Sequence, residues 1–136
     1  MPNLVVEIQG RVVLLVHNRL VHAPEEWRTI LALAARPDLE ELRVLVHGEG
    51  GGIDTAQRRE LIDTLGGRMP VAAVLTSNRI ARAVTAAIGW FKPGIRAFPP
   101  EQFERAVRYL ELTEKEVAFV SQTLPRLQAQ IARKAS

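Results

Sequence analysis

Cysteine does not occur in the chain, which excludes disulfides and thiolate-bound metal sites outright. Apolar runs of the ~18–20 residues that a membrane span needs are missing as well. The opening residues Met1-Pro2-Asn3 lack the basic region and apolar segment of a secretory signal. The expected compartment is therefore the cytoplasm. Aromatic residues make up only 5 % of the chain, and no lysine-rich run or aromatic-interleaved basic stripe is present to hold nucleic acid. A formal net charge of +3 is too small to argue for an anionic partner by itself. No nucleophile–base pair and no cluster at metal-ligand spacing is visible. An enzyme, a metal and a resident cofactor are accordingly not expected.

What is present is an ordinary globular balance, 47 % apolar and 24 % charged over 136 residues, enough to bury one core. Leu4–Gln9 and Arg11–His17 are two β-type runs separated by Gly10. The first partly alternates, as a half-exposed edge strand does, and the second is nearly continuous, as in a strand covered on both faces. A short turn between them predicts an antiparallel hairpin. Pro24 with Glu25 and Glu26 marks a helix entry, and Trp27, Ile30, Leu31, Leu33 and Ala34 form its apolar stripe. Further strands are predicted at 42–46, 71–75 and 95–98, with helices between them and after the last. Strands alternating with helices through short connections predict an α/β fold. Its sheet is mixed, mostly parallel and four- to five-stranded, opened by one antiparallel hairpin and flanked by helices.

The stretch from His47 to Ala56 is where a site is expected. Four glycines in the five positions 48–52 let the backbone approach a partner closely. Asp54 followed by Gln57 has the capping-box spacing of a helix start, and Gly66-Gly67 closes that helix. Its free N–H groups and the positive end of its dipole face whatever docks on the loop. The loop lacks the Gly-Lys-Ser/Thr ending of a nucleotide-hydrolysing loop. Ile53 also stands where a dinucleotide fingerprint needs its third glycine.

Thr76-Ser77-Asn78 caps the next helix, where Ile80, Val84, Ala87, Ile88 and Phe91 recur at helical spacing. In a parallel sheet both helix starts lie at the carboxyl ends of the strands, where α/β folds bind ligands. Arg58, Arg59, Arg79 and Arg82 would gather there, suited to an acidic protein surface, a phosphate or an anionic headgroup, or else forming a solvated charged face. His17 and His47 each follow a strand run and are expected at one end of adjacent strands, as polar strand-end residues rather than a metal pair. Trp90, off the stripe of its helix, is a candidate contact anchor.

Thr113 begins a final helix in which Val117, Val120, Leu124, Leu127 and Ile131 form a narrow, heptad-like seam. Pro125 lies inside it and is expected to kink or divide it. The favoured expectation is packing back on the body, the alternative dimerisation or partner binding.

The order β-β-α-β-loop-α-β-α-β-α over Leu4 to Leu112 resembles the STAS domain, the family of bacterial anti-sigma-factor antagonists and of sulfate-transporter tails. The most telling residues are Val44-Leu45-Val46 followed by Ile53-Asp54-Thr55-Ala56. In the antagonists a similar strand runs into a hydrophobe-Asp-Ser turn at a helix start, whose serine is phosphorylated by a partner kinase. The resemblance implies that residues 1–112 form a STAS-like domain, with 113–136 a C-terminal helical extension. It also implies a non-enzymatic regulatory or scaffolding module that binds a protein partner, such as an anti-sigma factor or switch kinase, with Thr55 at the phosphoacceptor position. The expected recognition residues are Gly50, Gly51, Gly52, Asp54, Thr55, Arg58, Arg59, Ser77, Asn78 and Arg79, and homo-oligomerisation through the C-terminal helix is the further partner expectation. A small-ligand binder for lipid, nucleotide or anion, using the glycine loop, is the alternative.

Overall fold

The computed structural model describes residues 2–20, 22–49, 54–83, 85 and 94–131. Gly50, Gly51, Gly52 and Ile53, and the segment holding Ala87, Ile88, Trp90 and Phe91, lie outside the described residues, as does Val84.

Five strands form one sheet in the order β1 (Leu4–Gln9), β2 (Val12–His17), β3 (Arg43–His47), β4 (Val71–Leu75) and β5 (Ile95–Phe98). The first pair is antiparallel and the remaining three are parallel. Spatial order follows chain order, so each crossover steps the same way and right-handed connections carry their helices to one face. That face holds α1 (Pro24–Ala34) and α2 (Thr55–Leu65), and helical residues at 79–83, here α3, follow β4. The opposite face is covered by α4 (Phe103–Tyr109) and α5 (Glu114–Gln130). Among the described residues no helix is long and apolar enough to cross a membrane.

Strand parity divides the core in two. Val12, Leu14 and Val16 of β2 join Leu45, Ala73, Leu75 and Phe98 beneath α4 and α5. Val13 turns the other way, with Leu39 and Leu42, toward Leu33 and Leu65. The nearly continuous apolar run of β2 thus reflects a strand buried on both sides.

The C-terminal seam is spent inside the molecule. Val120, Leu124, Leu127 and Ile131 are buried in the same cluster as β2, so these seam residues are already covered in cis. The helix was expected to kink or divide at Pro125, yet it is assigned as one helix across it. Pro125 lies on the exposed side, as does Ser121, whose carbonyl the missing N–H would have met. Water can donate to that carbonyl in place of the missing N–H.

Glu116 fixes the start of α5 to the hairpin. Its Oε1 accepts from the Thr113 backbone N–H at 2.9 Å, and Thr113 Oγ1 accepts from the Glu116 N–H at 3.2 Å, a reciprocal cap. Arg11 donates through Nε at 2.9 Å and Nη2 at 3.0 Å to the same carboxylate. The Arg11 hydrogen bonds, with help from Thr113, lower the Glu116 pKa to about 2. A depressed carboxylate stabilises the fold fully above its ordinary pKa and loses that contribution as pH falls toward the folded value. Glu116→Ala is expected to cost about 1–2 kcal/mol at pH 7 by denaturant unfolding, mostly through the cap. The gap from the parent should narrow as pH falls from 4.5 toward 2.

Candidate functional site

The carboxyl ends of β3 and β4 deliver two helix starts to one rim. At the first, Asp54 Oδ1 accepts from the Gln57 N–H at 2.7 Å while Gln57 Oε1 accepts from the Asp54 N–H at 3.1 Å. Thr55 is therefore the first residue of α2, and it is exposed with Asp54, Arg58 and Arg59. Gly66 ends the helix in the left-handed region, φ 59°, a conformation that glycine adopts without steric cost.

At the second start the cap is Asn78, and Ser77 is exposed beside it. Asn78 Oδ1 accepts from the Ala81 N–H at 3.0 Å, its own N–H donates to Thr76 Oγ1 at 3.1 Å, and its Nδ2 donates to the Glu49 carbonyl at 2.9 Å. That last bond ties the turn after β4 to the loop after β3. The Gly48 N–H donates to the Leu75 carbonyl at 3.1 Å, a second link between them. Asp54, Thr55, Arg58 and Arg59 thus begin the helix that this loop leads into, and Ser77, Asn78 and Arg79 lie on the neighbouring turn. Ile80 beside them keeps 76 % of its surface in solvent.

The histidines divide differently from the simple strand-end picture. Register pairs Val16 with His47, so His17 is one position further along and its side chain leaves on the opposite face. His47 turns toward α5, where the Gln128 amide donates to its Nε2 at 3.1 Å. His17 instead meets His22, ring centroids 5.9 Å apart and edge to face. His17 Nδ1 carries its proton to the Asn18 carbonyl at 2.9 Å, so in the neutral ring Nε2 is left as an acceptor. A Cβ on Gly48 would fall 2.1 Å from that Nε2. Glycine at 48 is thus required by the imidazole resting on it. Burial lowers the pKa of all three histidines.

Beneath this rim lies a cavity of about 590 Å³ between the sheet and the helices. His17, His22, Gly48, Arg58, Thr76 and Asn78 stand among its walls, together with Leu15, Val46, Leu61 and Val74. A second space of about 190 Å³ adjoins it, sharing Leu15, Ile30, Leu61 and Ile95 and lined entirely by apolar residues. Sequence reasoning missed the role of Gly48, which depends on the offset between β2 and β3, and that of His22, which lies in the loop after β2. Among the described residues no three His, Asp or Glu side chains converge as a metal site.

No protein-family model matches the chain, and no curated protein matches it. Among solved structures it is similar to an uncharacterised protein of the DUF3478 family from Shewanella loihica PV-4, which has a SpoIIAA-like fold. The two share 16 % identity with a TM-score of 0.52, over 81 % of this chain and 95 % of that one. The sheet with one antiparallel pair and parallel remainder, the flanking helices and this likeness agree: the chain has the SpoIIAA-like, STAS-type fold.

Proposed function

We propose that this domain is a non-enzymatic regulatory module of STAS type that binds a protein partner through the rim formed by Asp54, Thr55, Arg58 and Arg59 with Ser77, Asn78 and Arg79, and that Gly50, Gly51 and Gly52 complete that surface. The observation that carries this reading is Ile80, three-quarters exposed within a rim of arginines and bordered by two capped helix starts. A large apolar side chain in a polar surround is what the centre of a recognition patch needs. The rim arginines supply complementarity to an acidic partner, an effect on encounter rate and specificity more than on raw affinity. The seam of α5 is buried in cis, so partner binding is assigned to the rim rather than to that helix.

Thr55 is the proposed phosphoacceptor. A phosphate there would add about −1.5 to −2 charge at a helix N-terminus, which the helix dipole tolerates and an acidic partner does not. The switch would therefore act on binding and leave the fold intact. Incubation with cognate switch kinases followed by intact-mass and fragment analysis should label Thr55, and labelling at exposed Ser77 instead refutes the assignment. For the surface, Ile80→Asp and the double variant Arg59→Glu/Arg79→Glu should each weaken partner capture at least tenfold with unchanged melting temperature. Capture at parental strength by both variants would remove this face as the binding site.

A further inference from the structure

We propose that the cavity beneath α1 and α2 binds an elongated apolar molecule ending in a carboxylate, its tail between sheet and helices and its charged end at Arg58 and the His17–His22 pair. The tail's place is set by shared walls. The two spaces share Leu15, Ile30, Leu61 and Ile95 as common walls, so the tail of an extended chain in the larger space lies against the apolar residues that also bound the smaller one. A compact polar ligand would leave those apolar walls uncovered and its own hydrogen bonds unmet.

The head's chemistry follows from what is left without a partner at the polar end. His22 is only 6 % exposed, and its Nδ1 has no hydrogen-bond partner among the described residues. A buried polar nitrogen in that state costs free energy until something meets it. His17 fixes its Nδ1–H on Asn18, and the described residues give its Nε2 no hydrogen bond. Arg58 lines the same space and has no acidic partner among the described residues, whereas the nearby carboxylates are engaged. Glu26 accepts from the backbone N–H groups of Asn3, Leu4 and Ala23. Glu60 accepts from the Trp27 indole at 2.6 Å, and Glu49 pairs with Arg19 at 3.3 Å. Arg58 is thus left without a counter-charge among the described residues, at the wall of a space that the two imidazoles also line, while Glu26 and Glu49, whose charges act on His22 and His17, are held by other donors. A ligand carboxylate supplies that charge, accepts from Arg58 and converts the histidines into donors. An alcohol or an amine supplies less or repels.

This goes beyond the partner-binding reading, and its test separates the two. Isothermal titration of the intact protein with micromolar dodecanoate, dodecan-1-ol and dodecyltrimethylammonium should give saturable one-to-one binding for dodecanoate, at least tenfold weaker binding for the alcohol, and none for the cation. Arg58→Gln should weaken dodecanoate at least tenfold and leave the alcohol unchanged. Imidazole nitrogen NMR should move His17 and His22 toward the protonated form on addition of dodecanoate, with nuclear Overhauser contacts from its chain to the Leu15 and Leu61 methyls. Absence of binding by every chain overturns the cavity as a ligand site. Equal binding of acid and alcohol, or chain contacts to Leu124 and Leu127 across the sheet, overturns the assignment of head or tail. None of these outcomes alters partner capture by Arg59→Glu/Arg79→Glu, so the rim reading stands or falls separately.

Discussion

Removing residues 113–136 is expected to abolish stable folding of the remaining chain. Val120, Leu124, Leu127 and Ile131 are buried against the sheet in one cluster with Val12, Leu14 and Val16. Burying each such side chain contributes about 1.5–3 kcal/mol, so the four together supply about 6–12 kcal/mol. Total stabilities of small domains are about 5–15 kcal/mol. Truncation also strips the cover from one face of β1 and β2, exposing a contiguous apolar strip of the kind that drives association. The expected result is a 1–112 fragment without a cooperative thermal transition, soluble only when α5 is added back. A 1–112 fragment that melts cooperatively near the parental temperature would show that the final helix is an appendage and not part of the core.

The second large effect is expected at Gly48. A methyl group there would overlap the His17 ring, with Nε2 at 2.1 Å and Cε1 at 2.4 Å. The ring is not free to swing aside at no cost, because Nδ1 is bonded to Asn18 and the edge rests on His22. Gly48→Ala should therefore lower stability by about 1–3 kcal/mol, the usual range for overpacking a filled site. Removing the obstacle should restore most of it: in Gly48→Ala/His17→Ala the two changes should be strongly non-additive, as expected of groups in contact. Denaturant midpoints of the four proteins measure this directly. Additive losses would mean that the clash is relieved elsewhere and that His17 does not hold the loop in place.

The sequence was most informative where structure is decided locally. The five strands, the hairpin, the Asp54–Gln57 cap and the stop at Gly66 each depend on residues within a few positions of one another, and each appears in the structure. The juxtaposition of the two helix starts was also legible, because parallel strands with short crossovers bring their carboxyl ends to one side. What was hidden depended on register. The offset that pairs Val16 with His47 sends His17 and His47 to opposite faces and brings His17 onto Gly48. No spacing along the chain encodes that offset. His22 follows β2 in a loop without periodicity, so nothing marked it as a partner for His17. The capping role of Asn78 rather than Ser77 was a choice within one polar tripeptide, which composition alone does not decide. Pro125 misled in the opposite direction: its cost depends on whether the bereft carbonyl meets water, and that is a fact of orientation.

The STAS-type fold gives the rim its position, and the side chains on it give the rim its character. Partner binding and ligand binding would share Arg58 and Asn78, which line the cavity and also stand on the rim.

Hydrogen–deuterium exchange on the complex with a captured partner tests the central claim most directly. Binding should slow exchange in residues 54–60 and 76–82 and leave α4 and α5 at their free rates. Protection confined to the α4 and α5 side, with the two helix starts unchanged, would contradict the rim as the recognition surface.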